Sequence, residues 1–189
     1  MTAEEVMELV LADKAFYSSC GGGLTLSGGE PLLQTDFAFS LLVLAKENGI
    51  NTCVETSGAV HFDAIKYVLP YTDLFLFDVK ETDSENHRKY VGISNELPLE
   101  NLKKLDELGG KVILRCPIIP EVNDNARHFE NLKKLYSTLK NTVGIELLPY
   151  HSLGVGKLER FGIEVRDVFK IPTKEEKESW NDLVHGELR

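Results

Sequence analysis

Charged and polar side chains recur in this chain at one kind of place, the end of a short apolar run. LTLS (24–27) runs into Gly28, Gly29 and Glu30, and NTCVET (51–56) closes on Glu55, Thr56, Ser57 and Gly58. LFLFDVK (74–80) ends in Asp78, Val79 and Lys80, KVILRC (111–116) carries Arg115, and GIELLP (144–149) is followed by Tyr150 and His151. Glu30, Glu55 and Asp78 suit a cation, whereas Lys80 and Arg115 suit an anion. A zwitterionic amino acid carries both charges, and glycine main chain adds further hydrogen bonds to it. The competing reading is a set of strand-end ion pairs that orient loops. Polar groups at five run ends together favour a ligand, although His151 taken singly reads as a loop hydrogen-bonder.

The densest signal is GGGLTLSGGEPLLQ (21–34), with five glycines in nine residues before Glu30 and Pro31. Glycine admits backbone geometries that other residues avoid and lets a ligand approach the main chain closely. It also destabilises whatever contains it, so such a cluster is either a flexible turn or a place where backbone meets ligand.

The elements that must hold these residues follow from periodicity. Thr2-Ala3-Glu4-Glu5 reads as a capping box opening a helix whose stripe is Val6, Leu9, Val10 and Phe16. Strands are expected at 24–27, 51–56, 74–80, 111–116 and 144–149. Helices are expected at 35–48 (ended by Gly49), 62–69 (stopped by Pro70), at 98–108, at 125–139 and after Thr173, with a polar turn or helix around 84–90. The stretch beginning at Ser152 reads as loop. In the strand 74–80, alternation puts Leu74, Leu76, Asp78 and Lys80 on one face and Phe75, Phe77 and Val79 on the other. Strands alternating with helices predict an α/β fold with a parallel sheet covered on both faces, doubly wound or barrel-like. In such folds ligands sit at the carboxyl ends of the strands. No linker or repeat divides residues 1–189, so a single domain is expected.

Composition narrows the partners. A hydrophobic fraction of 42%, a charged fraction of 27% and a net charge of −9 describe a globular chain that nucleic acid or an anionic membrane would repel. MTAEEVMELV is neither a signal peptide nor a membrane span, which makes the cytoplasm the expected compartment. Cys20, Cys53 and Cys116 have no short mutual spacing and read as small buried apolar residues. Tyr90 and Trp180 read as packing residues.

Taken in order, GGGLTLSGGEPLLQ, ETSG (55–58), DVK (78–80), LRCPIIPEVND (114–124) and IELLPYHSLGVGK (145–157) resemble the glycyl-radical-enzyme activating enzymes, a group of radical S-adenosylmethionine proteins that includes the pyruvate formate-lyase activating enzyme. The resemblance runs from residue 2 to 165, and HRKYVGISNELPLENL (87–102) is similar to the subgroup with an extra ferredoxin-like insert. It implies a partial TIM-type (β/α) barrel with five of the usual six parallel strands. It implies that Gly28, Gly29 and Glu30 hold the methionine amino group of S-adenosylmethionine, that Asp78, Val79 and Lys80 line the methionine and ribose, and that Arg115 meets the carboxylate region. His151 would lie at the adenosine end. Glu55 and Asp78 would flank a monovalent cation, although the pyruvate formate-lyase activator has the shorter aspartate where this chain has Glu55.

The resemblance also implies a [4Fe–4S] cluster on a CxxxCxxC motif, which cleaves S-adenosylmethionine to a 5′-deoxyadenosyl radical that takes a hydrogen from a glycine of the partner enzyme. This sequence contains no CxxxCxxC, and its three cysteines are scattered. The expectation is therefore an activase portion without its first strand, cluster loop and any ferredoxin insert, inactive alone. A cluster-less module that binds S-adenosylmethionine or a partner enzyme is the alternative. The partner would be a glycyl radical enzyme, and the edge at 24–27 would be covered by the N-terminal helix or by a second copy of the chain.

Overall fold

Five parallel-wound strands in the order β1-β2-β3-β4-β5 carry the fold: β1 Gly23–Leu26, β2 Asn51–Thr56, β3 Leu74–Asp78, β4 Val112–Ile118 and β5 Thr142–Pro149. The computed structural model describes residues 1–152 and 169–186. Strand order equals chain order, so each connection steps one strand along the sheet, as in an open portion of a (β/α) barrel. The expected boundaries hold to within a few residues. The loop expected beyond Ser152 and the end of the 145–157 motif fall largely outside the described residues.

By its internal contacts the chain divides into two compact units. The first comprises residues 1–78, 96–114 and 139–144. Here β1 and β2 pair in parallel with Thr25 opposite Cys53, and β2 and β3 with Glu55 opposite Leu76. Helices α1 (Ala3–Ala12), α2 (Lys14–Cys20), α3 (Thr35–Glu47), α4 (Phe62–Val68) and α6 (Glu96–Glu107) belong to this unit. Leu42, Val54, Ile65, Phe75, Phe77, Leu102 and Leu105 are fully buried in its core.

The capping box at Thr2 forms as expected, with Glu5 closing it. The helix behind it differs from expectation. It breaks at Asp13 into α1 and α2, and its buried positions are Ala3 and Met7, whereas Leu9 is 64% and Phe16 70% exposed. Ala3 and Met7 lie one turn apart in a helix that packs against α3, so position on the helix, not the extent of the apolar stripe, decided which residues are buried. β1 lies at the edge of the sheet, and among the described residues β2 is its one strand neighbour.

The second unit comprises residues 79–95, 115–138 and the described residues from 145 on. It contains α5 (Ser84–Val91), α7 (Ala126–Thr138) and α8 (Lys174–His185). Trp180 of α8 is 5% exposed, and its ring lies 6.4 Å from that of Phe129 in α7, which makes it a core residue. Tyr90 stays 44% exposed. Among the described residues no helix is long and apolar enough to cross a membrane.

Candidate functional site

At the exit of β1 the chain turns through Gly28, whose φ of 130° lies in the region that favours glycine. Gly28 and Gly29 are exposed, and a Cβ at either position would meet no atom within 4 Å. Their main chain is therefore accessible to a ligand. Glu30, half-buried, ends this loop and caps the 3₁₀ turn Pro31–Gln34, its Oε1 accepting the Leu32 amide at 3.3 Å. The same Oε1 accepts the Thr56 hydroxyl at 2.9 Å. Oε2 accepts the Ser57 amide at 2.9 Å and the Ser57 hydroxyl at 2.7 Å. These bonds occupy the lone pairs of both oxygens and tie the glycine loop to the end of β2.

Glu55 stands on β2 with the Ser27 hydroxyl donating to its Oε2 at 2.9 Å. The strand register places Thr25, Cys53, Glu55 and Leu76 on one face, and Asp78 follows two residues later on the same face. The opposite face of β3 is the core, with Phe75 and Phe77 at 0% exposure, so the expected parity holds. Gly58, at φ 69°, packs directly beneath the Phe77 ring. Asn101 of α6, fully buried, donates to the carbonyls of Gly58 at 2.9 Å and Val60 at 2.8 Å and so shapes the loop after β2. In the first unit, Gly28, Gly29, Glu30, Glu55 and Asp78 are thus all at the carboxyl ends of adjacent strands.

In the second unit, Val79 is 3% exposed and its amide donates to the Arg115 carbonyl at 2.8 Å. Lys80 and Arg115 are half-buried, Arg115 alternating in β4 with Leu114 and Cys116, both at 0% exposure. Tyr150 is tied to β4 by its amide, 2.9 Å from the Ile118 carbonyl, and His151 beyond it is exposed. Behind Lys80 sits a buried pair, with Glu81 Oε1 3.0 Å from His128 Nδ1. Burial pushes the Glu81 carboxyl up, but the imidazole of His128 and the amides of Asp83 and Thr82 outweigh it and hold the group below its ordinary value.

Sequence reasoning did not find Ser27, Asn101, Asn123 or the Glu81–His128 pair as supports of these loops. A lone Asn or His carries no signal of its tertiary partner. The cysteines are corrected in part: Cys116 is buried as expected, Cys53 is half-buried, and Cys20 is exposed because α2 offers no covered face there. Among the described residues, no group of three or more His, Cys, Asp or Glu side chains is placed to hold a metal ion.

The family model described as the radical SAM superfamily matches residues 1–135. The chain is 42% identical over 166 residues to the choline trimethylamine-lyase activating enzyme of Oleidesulfovibrio alaskensis, covering 86% of this chain and 54% of that protein. To the pyruvate formate-lyase-activating enzyme of Clostridium pasteurianum it is 35% identical over 170 residues, covering 89% of this chain and 71% of that protein. Among solved structures, it is similar to a domain of the pyruvate-formate lyase-activating enzyme of Bacteroides vulgatus, with a TM-score of 0.73 and 26% identity over 87% of this chain and 94% of that one. The chain spans about half the length of several of the curated relatives it matches.

Proposed function

This chain belongs to the radical SAM superfamily, among the glycyl-radical-enzyme activating enzymes, and on that premise we propose that its 189 residues are the S-adenosylmethionine-binding portion of an activase that sets a glycyl radical on a partner enzyme. The observation that carries the reading is the exposed main chain of Gly28 and Gly29, held in place because Glu30 is bonded to the end of β2. A rigid, accessible backbone beside acidic strand ends suits the ammonium of an amino acid.

The cofactors of the family are S-adenosylmethionine and a [4Fe–4S] cluster. The residues present fit the first. The main chain of Gly28 and Gly29 would receive the methionine amino group, with Glu30 fixing the loop that presents it. Asp78, Val79 and Lys80 would line the methionine and ribose, Arg115 would meet the carboxylate, and His151 the adenosine. Glu55 and Asp78 would attract a monovalent cation. The residues present do not fit the cluster: Cys20 is exposed on α2, Cys53 lies within β2 and Cys116 is buried in β4. Iron–sulfur clusters need thiolates converging on one point, so no step through a cluster is assigned to these 189 residues. Taken alone they bind and orient S-adenosylmethionine without cleaving it.

Residues 1–189 are read as one partial-barrel domain that works in the cytoplasm, with a glycyl radical enzyme as partner. A second copy of the chain would add to the sheet along the β1 edge. The second functional reading is a module that binds S-adenosylmethionine or a partner enzyme with no redox role. The test is anaerobic reconstitution with iron and sulfide, then addition of S-adenosylmethionine and a strong reductant. A colourless protein that yields no 5′-deoxyadenosine is expected. A brown protein that yields it would overturn the proposed inactivity.

A further inference from the structure

Beyond Asp78 the ladder of β3 ends, yet the next residues are not left to themselves. Asn123, 2% exposed, donates both hydrogens of its side-chain amide to main-chain carbonyls, that of Lys80 at 3.0 Å and that of Pro117 in β4 at 2.8 Å. Its Oδ1 accepts the Ile119 amide at 2.7 Å. One carboxamide thereby takes the place of a backbone donor, cross-linking the chain after β3 to β4 next to the Val79–Arg115 bond. Only asparagine meets the requirement: aspartate has no donor to give, serine has one, and glutamine would set the group further out.

The turn that aims Asn123 is itself strained. Glu121 has φ 66°, a left-handed conformation unusual outside glycine, fixed by its amide bonding to Asp124 Oδ1 at 2.7 Å and by the Val122 and Asn123 amides bonding to Ile119 O. Strain of this kind persists where the surroundings over-determine it, often beside a functional site.

We propose that Asn123 is a positioning residue for ligand binding, acting through the main chain of Val79 and Lys80 to fix where Lys80 presents its ammonium. The inference rests on the reading that Val79 and Lys80 contact S-adenosylmethionine.

The test is calorimetric titration of S-adenosylmethionine into the 189-residue chain, at a temperature well below each variant's melting point, for Asn123→Asp, Lys80→Ala and the double variant. Asn123→Asp keeps the size and the bond to Ile119 but loses both donors, and it should weaken binding about tenfold, the lower end of what outer-shell partners cost. Because Asn123 acts through residues 79–80, the double variant should bind much as Lys80→Ala does, a non-additive pair. Additive losses, or unchanged affinity in Asn123→Asp while Lys80→Ala binds weakly, would overturn the proposal and leave the ligand reading standing. Unchanged affinity in Lys80→Ala would overturn the reading and the proposal together. Should Asn123→Asp fail to fold, Asn123→Ser is neutral, keeps one donor, and is expected to give the same non-additivity.

Discussion

Glu30 and Ser57, on loops that leave neighbouring strands, are joined twice: the Ser57 amide lies 2.9 Å and its hydroxyl 2.7 Å from Glu30 Oε2. The carboxylate thus spends its capacity on the protein and leaves the main chain of Gly28 and Gly29 as the exposed part of the loop. Glu30→Ala should free the Ser57 amide and loosen the glycine loop. Its hydrogen exchange should accelerate, and affinity for S-adenosylmethionine should fall about tenfold, the loss of one or two bonds to a charged group. Unchanged Ser57 protection would show that the loop does not depend on Glu30.

Gly58 has no room for a side chain, since a Cβ would strike the Phe77 ring and φ 69° disfavours one in any case. Gly58→Ala should lower stability by about 1–3 kcal/mol, the range for overpacking a close contact, read from the urea midpoint with unchanged slope. An unshifted midpoint would mean that Phe77 can move aside.

Much of this arrangement was legible in the sequence, and the reasons differ by residue. The strands were found because Phe75 and Phe77 alternate with residues facing the other way, and sheet parity is strict. The strand-end carboxylates were found because polar residues interrupt apolar runs. The break at Asp13 was not found, because Leu9 and Phe16 complete a helical stripe that no neighbouring element covers among the described residues. Asn101 and Asn123 were invisible as supports. Each bonds at least one carbonyl far away in sequence, a relation set by tertiary structure alone.

Asp106 closes a second joint. Its carboxylate accepts the amides of Lys140 at 2.9 Å and Asn141 at 2.6 Å, and its own carbonyl accepts from Asn141 Nδ2 at 2.7 Å. Asp106→Ala strands these amides without an acceptor and should cost about 2–3 kcal/mol. Asp106→Asn, which keeps one acceptor oxygen, should cost less. Equal midpoints for the two variants in urea unfolding would contradict this account.

The Glu81–His128 pair gives stability an acid limb. Because the Glu81 carboxyl sits below its ordinary value of 4.5 when folded, the unfolded chain binds more protons as pH falls through that range. The contribution is complete above the ordinary value and is lost as pH drops through the folded one. Stability measured from pH 6 downward should therefore fall less steeply in Glu81→Gln than in the unaltered protein. Parallel curves would remove Glu81 from the acid limb.

We propose that these 189 residues hold S-adenosylmethionine by the loop Gly28–Glu30 and the strand ends beyond it. Isothermal titration of S-adenosylmethionine into iron-free protein tests it most directly, with Gly29→Val as the paired control, since a branched side chain would occupy the exposed main chain that the ligand approaches. Saturable binding to one site in the unaltered chain and its loss in Gly29→Val are expected. No saturable heat from the unaltered chain, or equal binding by both proteins, would contradict it.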